Sequence, residues 1–565
     1  MRIKEANCKN CYKCVRVCPV KAIKISNAQA EVDAERCIAC GNCLIACPQK
    51  AKEIVSERTA VASLLQGTLP VVASVAPSLV AAWPGASAGQ VVTALELLGF
   101  ASVSQTSAGA AIVSRAYDRL LAKGRVRSNP WLTTACPAVV SLVERYYPDL
   151  ASFLAPVATP LIAHARLIKA MQPKARVVFI GPCLAKKNEA ARPDNAGLVD
   201  GVLTFGEVAE WLQEAGIVVS QLPESPWSEL DQEVAALYPV SGGLLQHLQQ
   251  QGAAVQVADG LEEVLDVLEG MRHDGLRSAL VECNACRGAC INGPCMPATE
   301  SQAKRRERVR EYHQARKSVV RQPRELPLVS TEASYAPDPI RQRRYSDAEI
   351  QHVLDQIGKT SPEAELNCSA CGYATCREKA IAVLDGRAEL DMCMPYMRSR
   401  AESLAYEIFE STPNALIVVD RNMIIRDLNT AAERMFARKM EQMKGSLLSD
   451  IIPDEDFRAV AENGSWITGK RVAYPNLGII TTQTIRPLEG QEMVLGVIGD
   501  VTRLELQDRE LSRVREETLS KAQVVIDKQM RVAQEIAGLL GEVTADSKVL
   551  LMQLMRLVQG EEQGR

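Results

Sequence analysis

Four cysteines, Cys283, Cys286, Cys290 and Cys295, fall within thirteen residues of the stretch ECNACRGACINGPCMP (282–297), out of 18 in a chain of 565. Thiolates are soft ligands that suit iron–sulfur clusters. Gly288 and Gly293 leave the backbone free to wrap closely around such a group. A zinc knuckle or a structural disulfide would use the same residues, so the rest of the chain has to decide. Two runs repeat one spacing, C-x2-C-x2-C-x3-C-P: Cys8, Cys11, Cys14, Cys18 before Pro19, and Cys37, Cys40, Cys43, Cys47 before Pro48. Such short spacing lets three thiolates cap one cubane. A further set, Cys368, Cys371, Cys376 and Cys393, is spaced C-x2-C-x4-C-x16-C, which suits a 4Fe-4S cluster or, as the alternative, structural zinc. With Cys136 and Cys183, every cysteine falls in a motif.

The repeated run resembles the bacterial two-cluster ferredoxins, in which the fourth cysteine of each run ligates the other cluster. That implies one cluster on Cys8, Cys11, Cys14 and Cys47 and a second on Cys37, Cys40, Cys43 and Cys18. Paired cubanes of this kind carry electrons and do no bond chemistry themselves.

The remaining composition narrows the class. A chain of 565 residues exceeds one core, which predicts three to five domains. A net charge of −3 gives no general attraction to nucleic acid or anionic membrane, and 4% aromatics supply few stacking platforms. The first ten residues, MRIKEANCKN, contain no apolar signal core, and the longest apolar run (69–84) is broken by Pro70 and Pro77. The expectation is a cytoplasmic protein, where many cysteines mean metal or redox chemistry and not a disulfide framework.

Cysteines need elements to deliver them. Over residues 69–297, short β-branched runs alternate with helical stretches, predicting α/β units. VVASVAPS (71–78) ends at Pro77 and Ser78, RVVFIGPC (176–183) at Cys183, and SALVEC (278–283) opens the four-cysteine stretch. WLTTACP (131–137) puts Cys136 before a helix. Ligands in open α/β sheets bind beyond the carboxyl ends of the strands, so several strand ends could furnish one site.

TTACPAVVSLVERYYPDL (133–150), IGPCLAKKNEA (180–190) and VECNACRGACINGP (281–294) resemble, in order, the three signature motifs of the FeFe-hydrogenase catalytic domain. The resemblance implies an H-cluster: a 4Fe-4S cubane joined through a cysteine to a two-iron subsite with CO, cyanide and a dithiolate. It implies Cys136, Cys183, Cys286 and Cys290 as cubane ligands, Cys290 as the bridge, and Pro77, Ser78 and Lys186 near the cyanides. A lysine and a hydroxyl are suitable donors to anionic cyanide. The departures matter as much. The proton-passing cysteine of catalytic members is Ala135 here, and two methionines that pack on the two-iron site are Gly181 and Asn284. Alanine exchanges no proton. This combination is similar to the sensory branch of the family. Cys283 and Cys295 are extra; they are spare thiols or, for Cys283, a candidate substitute proton carrier.

Beyond this part, KRRERVREYHQARK (304–317) reads as a basic surface helix followed by an extended, proline-containing linker. The Cys368 set resembles the small four-cysteine 4Fe-4S domain of anaerobic redox proteins. Residues 405–504 hold neither cysteine nor histidine, and IFESTPNALIVVDRNMIIRDLNTAAERMF (408–436) with GVIGDVT (496–502) resembles a PAS domain, with Asn429 opening an internal helix and Asp500 and Thr502 at a strand exit. In the tail, Ala522, Val525, Gln529, Val532, Ile536, Leu539 and Val543, then Leu550, Leu554 and Leu557, follow three-four spacing, predicting a coiled coil or helical hairpin, with Gly538 and Gly541 as candidate breaks.

The expected architecture is multidomain, α+β and α/β. It comprises a two-cluster ferredoxin domain (1–57), an α/β FeFe-hydrogenase H-cluster domain (58–300), a basic helix and linker (301–346), a four-Cys 4Fe-4S domain (347–404), a PAS domain (405–506) and a helical coiled-coil tail (507–565). The expected function is a sensory, low-activity hydrogenase that binds or slowly turns over H2 and relays redox state through clusters to the PAS module, whose ligand is unknown. The alternatives are a working ferredoxin-linked hydrogenase, or an electron-transfer or scaffold protein without the two-iron subsite. Expected partners are H2, an electron carrier such as ferredoxin, the FeFe maturation machinery, a second copy through the PAS domain and tail, and a separate output protein such as a phosphatase or regulator. Membrane and nucleic acid are not expected.

Overall fold

The computed structural model describes residues 2–3, 7–123, 129–227, 237–245, 254–297, 300–317, 327–488, 492–539, 549–550 and 552–553. The chain divides into two units, Met1–Met397 and Arg398–Arg565.

At the start of the first unit, the two repeated cysteine runs fold alike. Each enters a short helix, Lys13–Val17 or Asn42–Ala46, from a residue in the left-handed region, Tyr12 (φ 57°) or Gly41 (φ 79°). Between them the strands Ile23–Ser26 and Gln29–Val32 pair antiparallel, and Asn27 and Ala28 both take positive φ. That is the primed turn a two-residue hairpin requires.

Two parallel sheets follow. The first orders Ser102–Gln105, Val71–Val75, Arg176–Gly181 and Gly201–Thr204, and the second orders Val255–Asp259, Leu280–Asn284 and Trp131–Leu132. Val71–Val75 is buried at every position. Helices on both faces demand this, which is why its sequence runs apolar without alternation. Helix starts are fixed by capping boxes at Ser87 with Gln90 and at Thr204 with Glu207. Helices Ser107–Ala122 and Pro160–Met171 pack so closely at Gly109 that a Cβ there would lie 2.1 Å from the Pro160 carbonyl oxygen. Behind them, the fully buried His164 bonds through Nδ1 to Ser74 Oγ (2.8 Å) and through Nε2 to Ser104 Oγ (3.0 Å), tying the helix to two strands.

The basic stretch forms helix Gln302–Lys317, a surface helix docked along one face. Val309 is fully buried, and Arg305 donates to the carbonyl oxygens of Ile291 and Pro297 and to Asn292 Oδ1. Backbone carbonyls therefore take the place of water around the Arg305 charge. The linker after it is a strap. Glu332 bridges Val157, Ala158 N–H donates to Thr331 O, and the Tyr335 hydroxyl donates to Val157 O (3.0 Å). The strap leads to helices Asp347–Gln356 and Cys376–Leu384, which pack on each other around Leu354 and Ala380.

The second unit holds a five-stranded antiparallel sheet in the order Ile425–Leu428, Ala415–Asp420, Met493–Asp500, Ile479–Leu488, Ile467–Tyr474. Asn429 is buried and caps helix Thr430–Phe436. Its Oδ1 accepts from Leu416 and Ala432 N–H, and its Nδ2 donates to Phe409 O and Asn414 O. Asp500 Oδ1 accepts from Thr502 N–H at 2.8 Å. Helix Thr502–Leu539 then runs on continuously through Gly538, so that glycine does not break it; Gly541, Val543, Leu554 and Leu557 lie outside the described residues. Val525, Val532 and Ile536 of its stripe are exposed on the single chain. Among the described residues no helix is long and apolar enough to cross a membrane.

Candidate metal centre

The carboxyl ends of both parallel sheets face one cavity of about 110 Å³. Three segments deliver its four cysteines. Cys136 follows strand Trp131–Leu132 and precedes helix Pro137–Tyr146; Cys183 follows strand Arg176–Gly181; Cys286 and Cys290 follow strand Leu280–Asn284. Pro77, Ser78, Lys186 and Ala135 line the same cavity, with Phe179, Leu161 and Ala110 among its apolar wall. The loop can close because two glycines permit close approach. Gly288 has φ 84°, and a Cβ on Gly293 would lie 2.5 Å from Pro182 O.

All eighteen cysteines carry free thiols, so no pair is crosslinked. Among the described residues no three His, Cys, Asp or Glu side chains converge on a single ion. Burial pushes the Cys183 thiol up to about 11 and Cys290 up to about 12, and neighbouring thiolates add to both shifts. Burial likewise lifts Cys286 well above the usual thiol range. Four thiols gathered around one cavity, which repel one another on ionising, call for a cationic core among them, and an iron–sulfur cubane fits that need. Two further features fit anionic ligands beside it. Ser78 Oγ is fully buried and lacks a hydrogen-bond partner. Lys186 Nζ donates to Glu189 Oε2 (2.6 Å) and Ala135 O (3.5 Å), which leaves its third N–H for the cavity.

Cys283 and Cys295 are not brought to this cavity. Both are buried, and Cys283 Sγ lies 3.8 Å from Val281 O. Burial holds the Cys283 thiol far above its ordinary range and pushes Cys295 up to about 12. Side chains alternate along a strand, so Glu282 and Asn284 face the cavity while Cys283, between them, faces away. Cys283, offered as a substitute proton carrier, is thus not among the residues that line the cavity. Motif reasoning passes over Glu282, although strand alternation is the signal that finds it. Its Oε1 accepts from Gly242 N–H (3.1 Å) and Asn284 Nδ2 (2.9 Å), while Oε2 is buried and unpartnered. Burial, opposed by those hydrogen bonds, pushes its carboxyl up to about 7. Gly181 likewise has a structural reason: the Phe179 ring folds over it, and a Cβ there would lie 2.6 Å from that ring.

The other cysteines gather in three groups. Cys8, Cys11, Cys14 and Cys47 line one cavity of about 20 Å³. Cys18, Cys37 and Cys43 lie close enough to Cys40 to raise its thiol, which burial already pushes up to about 12. Cys368, Cys371, Cys376 and Cys393 line another cavity of about 20 Å³, with Tyr373 and Lys379 beside them. Burial lowers Lys379 against the neighbouring thiols, which raise it. Donor chemistry fits a cluster in each group, and in the last the Lys379 side chain adds a neighbouring amine. The second group touches the loop of the sheet-end cavity. A Cβ on Gly41 would lie 2.3 Å from Pro294, and Cys40 is near enough to Cys286 to raise it. Arg145 Nη1 holds this contact by donating to Glu35 O and Cys37 O.

Comparison with known proteins agrees in outline. Residues 69–256 match the C-terminal domain of the iron-only hydrogenase large subunit, and this match ends before the 281–294 motif. Residues 1–48 match the 4Fe-4S dicluster domain, 365–395 a putative Fe-S cluster family, and 409–464 the PAS fold. The chain is 30% identical over 307 residues to the NADP-reducing hydrogenase subunit HndD of Solidesulfovibrio fructosivorans, covering 50% of this chain and 48% of that protein. It is 28% identical over 226 residues to iron hydrogenase 1 of Clostridium pasteurianum, covering 36% and 39%. It is also 25% identical over 219 residues to cytosolic iron-sulfur assembly component 3 of Rattus norvegicus, covering 29% and 46%. The chain thus spans less than half the length of these three relatives. The chain is a FeFe-hydrogenase-like iron–sulfur protein: a domain of the iron-only hydrogenase large-subunit type set between iron–sulfur domains, with a PAS fold after them.

Proposed function

We propose that this protein senses hydrogen or redox state, binding or slowly turning over H2 at an H-cluster and passing the change through 4Fe-4S clusters towards the PAS module. Cys136, Cys183, Cys286 and Cys290 would hold the cubane, with Cys290 bridging to the two-iron subsite; Ser78 and Lys186, beside Pro77, would donate to its cyanides. When bound, such a cluster supplies a site for splitting H2 and a store for electrons. The chain's own residues govern everything around it. Phe179, Leu161 and Ala110 exclude water, and Lys186 is held in place by Glu189. One observation carries the sensory reading: Ala135 lines the cavity beside Cys136, where catalytic relatives of the hydrogenase family keep a proton-passing thiol. A wall without that thiol supports slow proton delivery and long-lived binding.

Cys8, Cys11, Cys14 and Cys47, and Cys37, Cys40, Cys43 and Cys18, would hold two ferredoxin-type clusters; Cys368, Cys371, Cys376 and Cys393 would hold a further one. Outward partners would be an electron carrier, the FeFe maturation machinery, a second copy through the exposed stripe of helix Thr502–Leu539, and a separate output protein. The reading of a working hydrogenase gains support from Glu282, which lines the cavity, has one carboxylate oxygen without a hydrogen-bond partner, and could move protons in place of a thiol.

The decisive experiment is infrared spectroscopy of the full chain expressed with the FeFe maturation machinery. CO and cyanide bands with slow H2 turnover are expected. Absent bands would leave an electron-transfer or scaffold protein, akin to the assembly-component relatives, and turnover like that of a bulk hydrogenase would overturn the sensory reading.

A further inference from the structure

The four-cysteine module is fastened to the ferredoxin-like fold at a second glycine contact. Gly372 (φ 96°) sits against helix Lys13–Val17, where a Cβ would lie 2.9 Å from Val15 Cγ1 and 3.1 Å from Arg16 N. Arg16 Nη1 donates to Ala370 O (3.1 Å), Ile25 N–H donates to Arg387 O (2.9 Å), and Arg387 Nη1 reaches Lys21 O. Tyr373 follows directly. It is 3% exposed and belongs to the same core as Val15, Cys18 and Val20, with Cys371 packed against that core. Tyr373 also lines the cavity of Cys368, Cys371, Cys376 and Cys393. Its hydroxyl is buried and has no hydrogen-bond partner. Buried hydroxyls are rarely left unpaired, so this donor points to an acceptor supplied by the cavity's own cofactor.

We infer that Tyr373 donates its hydroxyl hydrogen bond to a sulfur of the four-cysteine cluster, and that this cluster is a branch off the second ferredoxin cluster on its Cys18 side. The inference rests on the cluster assignments above. A donor to cluster sulfur stabilises the more negative, reduced form and so raises the potential. In the transfer itself one electron leaves the second ferredoxin cluster, which is oxidised, and enters the four-cysteine cluster, which is reduced; no bond or proton changes place. The second ferredoxin group thus meets the loop of the sheet-end cavity at Gly41 and Pro294 and the four-cysteine module at Tyr373, forming a junction between them.

The test uses the full chain reconstituted with iron and sulfide but without maturation, so it reads 4Fe-4S signals independently of any two-iron subsite. Cys376→Ala identifies the module's signal by removing it. In an electron-paramagnetic-resonance redox titration, Tyr373→Phe should move that signal's midpoint to a more negative potential and leave the other midpoints in place. In the wild-type chain in D2O, electron–nuclear double resonance should show an exchangeable deuteron coupled to the module's cluster, and the reduced module and second ferredoxin cluster should show magnetic coupling. An unmoved midpoint, no exchangeable deuteron, uncoupled spectra, or zinc in place of iron would each overturn the inference. The double-resonance result decides the donor even if Tyr373→Phe loses iron. Failure here with CO and cyanide bands present would leave the hydrogen-site reading standing.

Discussion

The cavity at the sheet ends and the two small cysteine cavities differ in room and in wall. The first encloses about 110 Å³, and Ser78, Lys186 and Glu282 bring unspent polar capacity to it. The cavities around Cys8 and around Cys368 hold about 20 Å³ each. A site that only stores electrons needs ligands and insulation, and extra space would be a liability. Space beyond what thiols enclose, with donors placed around it, suits a larger group and a small substrate. On the proposed reading, the difference divides the chain's cysteine sites into wiring and a working chamber.

The comparison breaks most sharply with Cys183→Ala. In protein reconstituted without maturation, this change should abolish the chamber's cubane, with the loss of about four iron atoms per chain, while the ferredoxin-type and four-cysteine signals persist. Iron analysis with paramagnetic resonance checks it. Simultaneous loss of all clusters would mean that the chamber and the wiring are one folding unit.

Acid should separate the two regions next. His164, behind the chamber, is held neutral by burial, which lowers its pKa from 6.5 to about 3. The unfolded chain takes up the proton near its ordinary pKa and the folded chain does not. The stabilisation is therefore complete above about pH 6.5 and is lost as pH falls from there towards 3. The shift corresponds to on the order of 5 kcal/mol. Denaturant midpoints of the apoprotein at pH 7 and pH 4 should fall less in His164→Gln than in the wild type, and equal slopes would remove His164 as the cause.

The wiring was easier to read than the chamber for a physical reason. Ferredoxin-type ligands lie in short contiguous runs, so spacing alone groups Cys8, Cys11 and Cys14. The crossing of Cys18 and Cys47 needed the family pattern. Cys136, Cys183, Cys286 and Cys290 come from distant strands, and only the resemblance joined them; spacing could not. Proximity in sequence misled at Cys283, which sits between two cavity-facing residues and points away from the cavity. Phe179 over Gly181, Tyr373 against Cys18 and the strap on Val157 are contacts between residues far apart in the chain or shaped by tertiary packing, which local pattern does not encode.

Within the chamber, Ala135→Cys restores an exchangeable proton at the wall. A positioned proton carrier contributes roughly 10²-fold or more to rate, so H2 turnover of the matured protein should rise by about that factor. Glu282→Gln should lower the residual turnover of the parent and have less effect in the Ala135→Cys background, where the new thiol carries the proton. An unchanged rate in Ala135→Cys would mean that proton delivery does not limit the chamber.

The smallest expected effect tests how the chamber's space is kept. Methionine at position 181 fits the wiring logic of a filled wall, but Phe179 already occupies that direction, with its ring 2.6 Å from where a Cβ would stand. Gly181→Met must push the ring into the cavity or out of its rotamer. Such overpacking costs about 1–3 kcal/mol, which should lower the apoprotein's melting temperature by a few degrees. Pairing it with Phe179→Ala should recover much of the loss, because the two side chains compete for one volume and their effects cannot add. Additive losses in the double variant would show that Phe179 packs elsewhere and that the chamber's wall at this point is set by the backbone alone.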